Sequence, residues 1–224
     1  MDKPILIFDW DGVIVDSNAW KWGGAWNKVF NTEPRLAELM QEILLKDTDK
    51  KLTRVELVDE LFNRTNKTNS PKYTKEEYLE HFGRAVRYGV SRIGLFPEAK
   101  EILQALHTGG YNMYVISATA KEDLDYISKE LGVSDFFIEM YGSPGKKIEH
   151  AQDILKKEKK GSQYVVIGDG EGDRGLSKQL NCKFVGVCNR WNNWKDDDPI
   201  RNNVSSIVYL PDILIDKTLA NRSN

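Results

Sequence analysis

Cysteine is scarce in this chain, neither sign of charge is in excess, and no apolar run is long. Two cysteines, Cys182 and Cys188, among 224 residues make no disulfide framework, so a reducing cytosol is the simpler setting. Lys and Arg number 32 against 34 Asp and Glu, a net charge of −2, which gives no general pull toward nucleic acid or an anionic membrane. No run approaches the ~20 apolar residues of a membrane span. After Met1-Asp2-Lys3-Pro4 only four apolar residues follow, too few for a signal-peptide core, so a cytoplasmic protein is expected. Without a secretion signal, the Asn-x-Ser/Thr matches at Asn63, Asn66 and Asn203 read as chance. Hydrophobic content of 40% and charged content of 29% fit one large soluble domain, or one core with a smaller insert.

What is present begins at residue 5. Ile5-Leu6-Ile7-Phe8 is long enough for one buried strand, and it ends abruptly in Asp9-Trp10-Asp11-Gly12. Buried parallel strands look like this, and in open α/β sheets chemistry collects at their carboxyl ends. Two acids there can share a cation, or one can attack while the other moves protons. The pair alone is weak, because 34 acids produce this spacing by chance several times. Its position directly after a strand, with partner motifs downstream, gives it weight.

Beyond Val13-Ile14-Val15, the residues Asp16-Ser17-Asn18 can cap a helix. From there to about Ser91 the pattern is helical, with apolar residues at three- and four-residue spacing in Leu36-Leu39-Met40-Ile43-Leu44 and in Val55-Leu57-Val58-Leu61-Phe62. Asn63 to Tyr73 is polar, contains a proline and reads as a loop; a helix over Lys75 to Tyr88 follows. The chain then changes character. A helix from Phe96-Pro97-Glu98 ends near Gly109-Gly110; Met113 to Ile116 is a strand ending at Ser117; Lys121 to Leu131 is a helix stopped by Gly132. Phe136 to Tyr141 is a strand, Ile148 to Lys157 a helix, Tyr164 to Ile167 a strand ending at Gly168-Asp169, and Arg174 to Leu180 a helix. Phe184 to Val187 and Ile207 to Leu210 are expected as further strands. Strands alternating with helices predict an α/β fold with a doubly wound parallel, Rossmann-like sheet. The helical block is an insert, so residues 1–16 and 92–224 are expected to form the core and 17–91 an inserted α-helical cap.

Four groups fall at strand ends or just beyond: Asp9 with Asp11; Ser117; Lys147 after Gly142-Ser143-Pro144; and Asp169 with Asp173. In a right-handed parallel sheet these ends share one edge. Acids for a hard cation, a hydroxyl and an ammonium suit a phosphoryl group and Mg²⁺.

The series Asp-x-Asp-Gly-Val-x-x-Asp-Ser, a strand ending in Ser, Gly-Ser-Pro-x-x-Lys and Gly-Asp-x-x-x-Asp resembles the four motifs of the haloacid dehalogenase (HAD) superfamily, in order. Each is weak alone; together they cover essentially the whole chain. The helical insert resembles the cap of the phosphoglycolate phosphatase and β-phosphoglucomutase branch. The resemblance implies Asp9 as nucleophile, forming an aspartyl phosphate, and Asp11 as the acid that protonates the leaving oxygen and later deprotonates water. It implies Mg²⁺ held by the Asp9 carboxylate, the Asp11 backbone carbonyl and Asp169, with Asp173 bonding a metal water. The Ser117 hydroxyl, the Ala118 N–H and Lys147 would hold phosphoryl oxygens. Lys146 competes with Lys147, and the motif spacing favours Lys147. The dehalogenase and phosphonatase branches lack the second motif acid, so Asp11 favours a phosphoester reaction.

The expected function is a Mg²⁺-dependent phosphatase of a small phosphorylated metabolite, acting as a monomer or weak homo-oligomer. A sugar-phosphate mutase is the alternative within the family, and a non-catalytic binding module on the same fold is the alternative outside it. Asp16 and Ser17 read as helix caps and hinge, Glu171 and Asp196-Asp197-Asp198 as solvated loop acids, and the cysteines as packing residues. Trp20, Trp22 and Trp26 read as cap core, with one facing a substrate as the alternative. Arg190, Trp191 and Trp194 lie in a loop on the catalytic edge, and Lys21, Arg54, Arg84 and Arg87 are candidate cap contacts that sequence does not rank.

Overall fold

The computed structural model describes residues 3–47, 52–65, 70–190, 192, 194 and 205–215. Trp191, Asn66, Asn203 and the Asp196–Asp198 run lie outside the described residues. In chain order the elements are β1 (Ile5–Phe8), a π-helical turn (Trp20–Gly24), α1 (Ala25–Val29), α2 (Pro34–Lys46), α3 (Arg54–Arg64), α4 (Lys75–Ile93), α5 (Ala99–Thr108), β2 (Met113–Ala120), α6 (Lys121–Glu130), β3 (Glu139–Ser143), α7 (Lys147–Lys157), β4 (Tyr164–Gly168), α8 (Glu171–Gln179), β5 (Lys183–Gly186) and α9 (Leu210–Ile215). Contacts divide the chain into two compact units, Met1–Asp16 with Gly94–Asn224, and Ser17–Ile93.

The first unit holds a five-stranded sheet in the order β3-β2-β1-β4-β5, every pairing parallel. Parallel pairing demands crossovers, and the helices that supply them bury both faces. Ile5 and Ile7 face one side with Tyr114, Ile116 and Val166, under Ala151 and Ile154 of α7 and Leu176 of α8. Strand alternation turns Leu6 and Phe8 to the other side, where Phe8 meets Phe137 edge-on at 6.0 Å. All four residues of β1 are buried, each apolar side chain contributing about 1.5–3 kcal/mol. That burial fixes the central strand, and with it the position of whatever follows Phe8.

The apolar run Ile207 to Leu210 is not a strand. Ile207–Tyr209 is a turn of 3₁₀ helix, entered through Ser206, whose hydroxyl accepts from the Val208 N–H at 3.3 Å, and α9 continues from Leu210. Pro211 suits the first turn of a helix and has no N–H for a sheet ladder, so the β-branched run is overridden by its neighbours.

In the second unit the described residues form helices only. Thr53 and Glu56 close α3 reciprocally: the Thr53 N–H donates to Glu56 Oε2 at 2.7 Å, and the Glu56 N–H to Thr53 Oγ1 at 3.3 Å. Trp26 is buried, stacked on Phe82 at 4.0 Å and on Phe30 at 6.0 Å. Trp20 donates its indole N–H to the Ala85 carbonyl at 2.9 Å, and a Cβ at Gly89 would fall 2.0 Å from its ring. Trp20 and Trp26 therefore pack this unit, while Trp22 is half-buried. Trp26→Ala should cost about 3–5 kcal/mol, since a large ring is removed from a packed site. Chemical denaturation of the full chain measures it, and a loss below about 1 kcal/mol would contradict the packing described.

Candidate active site

Asp9 is the first residue past β1, and its N–H still continues the ladder to the Ile167 carbonyl at 2.8 Å. The chain then turns sharply. The Gly12 N–H reaches the Val15 carbonyl at 2.8 Å, and Ile14 and Val15 both donate to the Trp10 carbonyl. Gly12 sits at φ +76°, and a Cβ on it would fall 2.0 Å from Asp169 Oδ2. Glycine is thus required twice, for the left-handed backbone and for the approach of a carboxylate.

The end of β4 supplies the next two acids. Gly168 carries no side chain where a Cβ would strike Asp173 at 2.3 Å, so the first turn of α8 folds back onto the strand end. The Gly170 N–H donates to Asp173 Oδ2 at 3.2 Å, and Asp173 is buried. One carboxylate oxygen from each of Asp9, Asp169 and Asp173 lies within 4.8 Å of the others, a spacing a single hard cation can bridge. The donor chemistry also fits: oxygen ligands only, carrying excess negative charge. The Asp11 carboxylate lies outside that trio and accepts from the Thr119 hydroxyl at 2.6 Å.

Lys147, the first residue of α7, brings the ammonium. Its Nζ lies 2.6 Å from Asp173 Oδ1 and 3.1 Å from Asp9 Oδ1. Lys146 is exposed and uses its backbone N–H to bond Glu149 at the helix start. Ser117 is buried near the end of β2, Ala118 is exposed, and Thr119 is buried again.

The remaining candidates take ordinary places. Asp16 accepts from Arg190 at 3.3 Å, and the Ser17 carbonyl accepts the Lys21 N–H at the start of the helical turn. Glu171 opens α8 exposed and pairs with Arg174 at 2.8 Å. Trp194 packs edge-on against Phe184 at 5.7 Å, and Arg84 is held by Glu80 on its own helix. Cys182 packs half-buried against the core, and burial pushes its thiol up to about 11.

Two asparagines were not anticipated. Asn189 Nδ2 donates to Asp169 Oδ2 at 2.7 Å and to the Gly12 carbonyl at 3.2 Å. Asn192 Nδ2 donates to the Asp169 carbonyl at 2.8 Å and to the Val187 carbonyl at 2.9 Å. The Asn189 N–H in turn donates to Asn192 Oδ1 at 3.2 Å. The loop after β5 thus braces both the backbone and the carboxylate of Asp169.

A family model for haloacid dehalogenase-like hydrolases matches residues 4–175. The chain belongs to the haloacid dehalogenase-like hydrolases. It is 25% identical over 104 residues to phosphoglycolate phosphatase of Vibrio parahaemolyticus, which takes in 44% of this chain and 46% of that protein. The chain spans about half the length of the curated relatives it matches. Among solved structures it is similar to CbbY of Rhodobacter sphaeroides, crystallised with phosphate, at a TM-score of 0.72 and 12% identity, covering 93% and 96% of the two chains. It is also similar to a HAD-superfamily hydrolase of Geobacter sulfurreducens, at a TM-score of 0.64 and 18% identity, covering 95% and 96%. These likenesses establish the fold of the hydrolase. Among its described residues no helix is long and apolar enough to cross a membrane.

The crowded acids and the Lys147 ammonium shift one another's protonation. Burial raises Asp9 well above the usual carboxylate range, Asp173 adds to the rise, and Lys147 opposes it. Burial loosens Lys147 from its proton, but Asp173 and Asp9 outweigh that and hold the ammonium charged. Asp169 is raised from 3.8 to about 6, by burial first and then by Asp173 and Asp11, against the Asn189 bond. A carboxyl raised in the folded state gives stability that is complete below its unfolded value and is lost as pH rises through its folded value. For Asp169 that window runs from 3.8 to about 6. With chelator present, Asp169→Asn should therefore gain on the unchanged protein in melting temperature between about pH 4 and about pH 7. A difference constant across that range would contradict the crowding of acids.

Proposed function

We propose that the chain is a Mg²⁺-dependent phosphatase of small phosphorylated metabolites, working through an aspartyl phosphate on Asp9. The observation that carries the reading is a buried strand-end carboxylate 3.1 Å from a lysine ammonium, within 4.8 Å of two further carboxylates. That is an arrangement for holding an anion and a cation together against a nucleophile. The partial match to phosphoglycolate phosphatase supports the same chemistry.

In this reading Lys147, the Ser117 hydroxyl and the Ala118 N–H bind the phosphoryl oxygens and favour the charge that shifts onto them in the transition state. An Asp9 carboxylate oxygen attacks phosphorus, forming the Asp9 O–P bond as the bond to the leaving oxygen breaks. Asp11 gives its proton to that oxygen. Water then attacks the aspartyl phosphate, its proton passes to Asp11, and the Asp9 O–P bond breaks to release inorganic phosphate. Asp9, Asp169 and the Asp11 backbone carbonyl would ligate Mg²⁺, with Asp173 bonding a metal water. When bound, the ion supplies positive charge that offsets repulsion between the carboxylate and the phosphate. The helical unit Ser17–Ile93, inserted between the first two motifs, is assigned to selection of the leaving group.

Inorganic phosphate release from p-nitrophenyl phosphate and from a panel of metabolite monoesters, phosphoglycolate included, should require Mg²⁺. Asp9→Asn should abolish it while the circular dichroism stays unchanged, since an amide of the same shape is a poor nucleophile. Asp11→Asn should lose about 10²–10⁴-fold, the usual scale of a proton-transfer group. Lys147→Ala should lose rate and phosphate affinity, and Lys146→Ala should be milder. Asp169→Ala should raise the Mg²⁺ requirement more than Asp173→Ala. Conversion of β-glucose 1-phosphate to glucose 6-phosphate, followed by ³¹P NMR with a trace of the bisphosphate and with little phosphate released, would make the protein a mutase instead.

A further inference from the structure

The segment between Ser117 and Ala120 departs from the regular sheet. Ile116 pairs with Tyr141 and Ala120 with Ser143, so β2 takes four steps where β3 takes two. The extra residues lift Ser117, Ala118 and Thr119 out of register with β3, and bulges of this kind re-aim side chains beside functional sites. β3 accommodates the irregular backbone through Gly142: a Cβ there would lie 2.6 Å from the Thr119 carbonyl and 2.6 Å from the Lys121 N. Thr119 is 8% exposed although it lies at a strand end.

Its two polar groups reach two different residues of the site. The Thr119 hydroxyl donates to Asp11 Oδ2 at 2.6 Å, across 108 residues of sequence. The Thr119 N–H donates to Ser117 Oγ at 3.1 Å. An oxygen that accepts from an amide has its own O–H turned to donate elsewhere, which is what a phosphoryl-binding serine needs. A hydroxyl bonded to one carboxylate oxygen fixes the rotation of that carboxylate, and proton transfer in a transition state depends on that angle.

We propose that Thr119 is a positioning residue for Asp11: its hydroxyl holds the acid–base carboxylate in the orientation from which the proton reaches the leaving oxygen. The inference rests on the reading of Asp11 as the acid–base group. Its consequence depends on the leaving group. p-Nitrophenolate departs with little help from an acid, whereas phenolate, nearly the same in shape, needs the proton more.

The test is single-turnover phosphoryl transfer to the Mg²⁺-loaded full chain, by rapid quench, with p-nitrophenyl phosphate and phenyl phosphate. Thr119→Val keeps the shape and removes the hydroxyl. Thr119→Ala is run beside it in case valine does not fold, and Thr119→Ser restores the donor. Without the hydroxyl, transfer from phenyl phosphate should slow about 10-fold or more and transfer from p-nitrophenyl phosphate less than about 3-fold, while Thr119→Ser should recover both to within about 3-fold. Equal slowing on both substrates would overturn the proposal and leave Thr119 a structural residue. A rise in KM alone would overturn it in favour of direct substrate binding. Asp11→Asn in the same assay separates the two levels. If it discriminates between the substrates and Thr119→Val does not, only the positioning role fails. If Asp11→Asn slows both alike, the acid–base reading of Asp11 fails, and the positioning role with it.

Discussion

Crowding of carboxylates at one strand edge is the constraint around which this hydrolase is organised. Asp9, Asp169 and Asp173 bring oxygens within 4.8 Å of one another, and Lys147 is the ammonium that touches two of them. Bringing three such groups together away from water is costly unless charge compensates it. Burial and the neighbouring acids raise the Asp9 and Asp169 carboxyls accordingly. A core of ordinary apolar strands carries the burden: β1 is buried throughout, and its neighbours β2 and β4 hold it on both sides.

The backbone around the acids is correspondingly bare. Gly12 and Gly168 both sit where a Cβ would strike a carboxylate of the site, and Gly142 sits where one would strike the irregular end of β2. These glycines serve approach as much as turning, since Gly168 has no unusual φ. Hydrogen bonds from the edges then set each acid: Asn189 and Asn192 hold Asp169, the Gly170 N–H holds Asp173, and the Thr119 hydroxyl holds Asp11.

Much of this was legible in the sequence, because the strand ends announce themselves. An apolar run closed by Asp9-Trp10-Asp11-Gly12, and another closed by Gly168-Asp169, carry their own boundary signals. Parallel pairing follows from the alternation of elements, so the juxtaposition of Asp9, Lys147, Asp169 and Asp173 was a topological consequence. Three things were not legible. The Ile207–Leu210 run has strand composition but folds as helix, because a short apolar run does not reveal its period and Pro211 lies just after it. Asn189 and Asn192 looked like loop residues beside Arg190 and Trp194, since nothing in spacing says which side chain of a loop turns inward. Thr119 lies past Ser117, where the apolar strand pattern has already ended, and its link to Asp11 across 108 residues depends on tertiary placement.

The proposed mechanism bonds phosphorus to Asp9 during turnover. Acid quench of the Mg²⁺-loaded enzyme mixed with p-nitrophenyl phosphate, followed by borohydride, reduces an aspartyl phosphate to homoserine, which peptide mass spectrometry locates. Homoserine is expected at position 9, with Asp11, Asp169 and Asp173 unchanged. Homoserine at any of those three positions, or hydrolysis proceeding with no reducible intermediate at all, would contradict it.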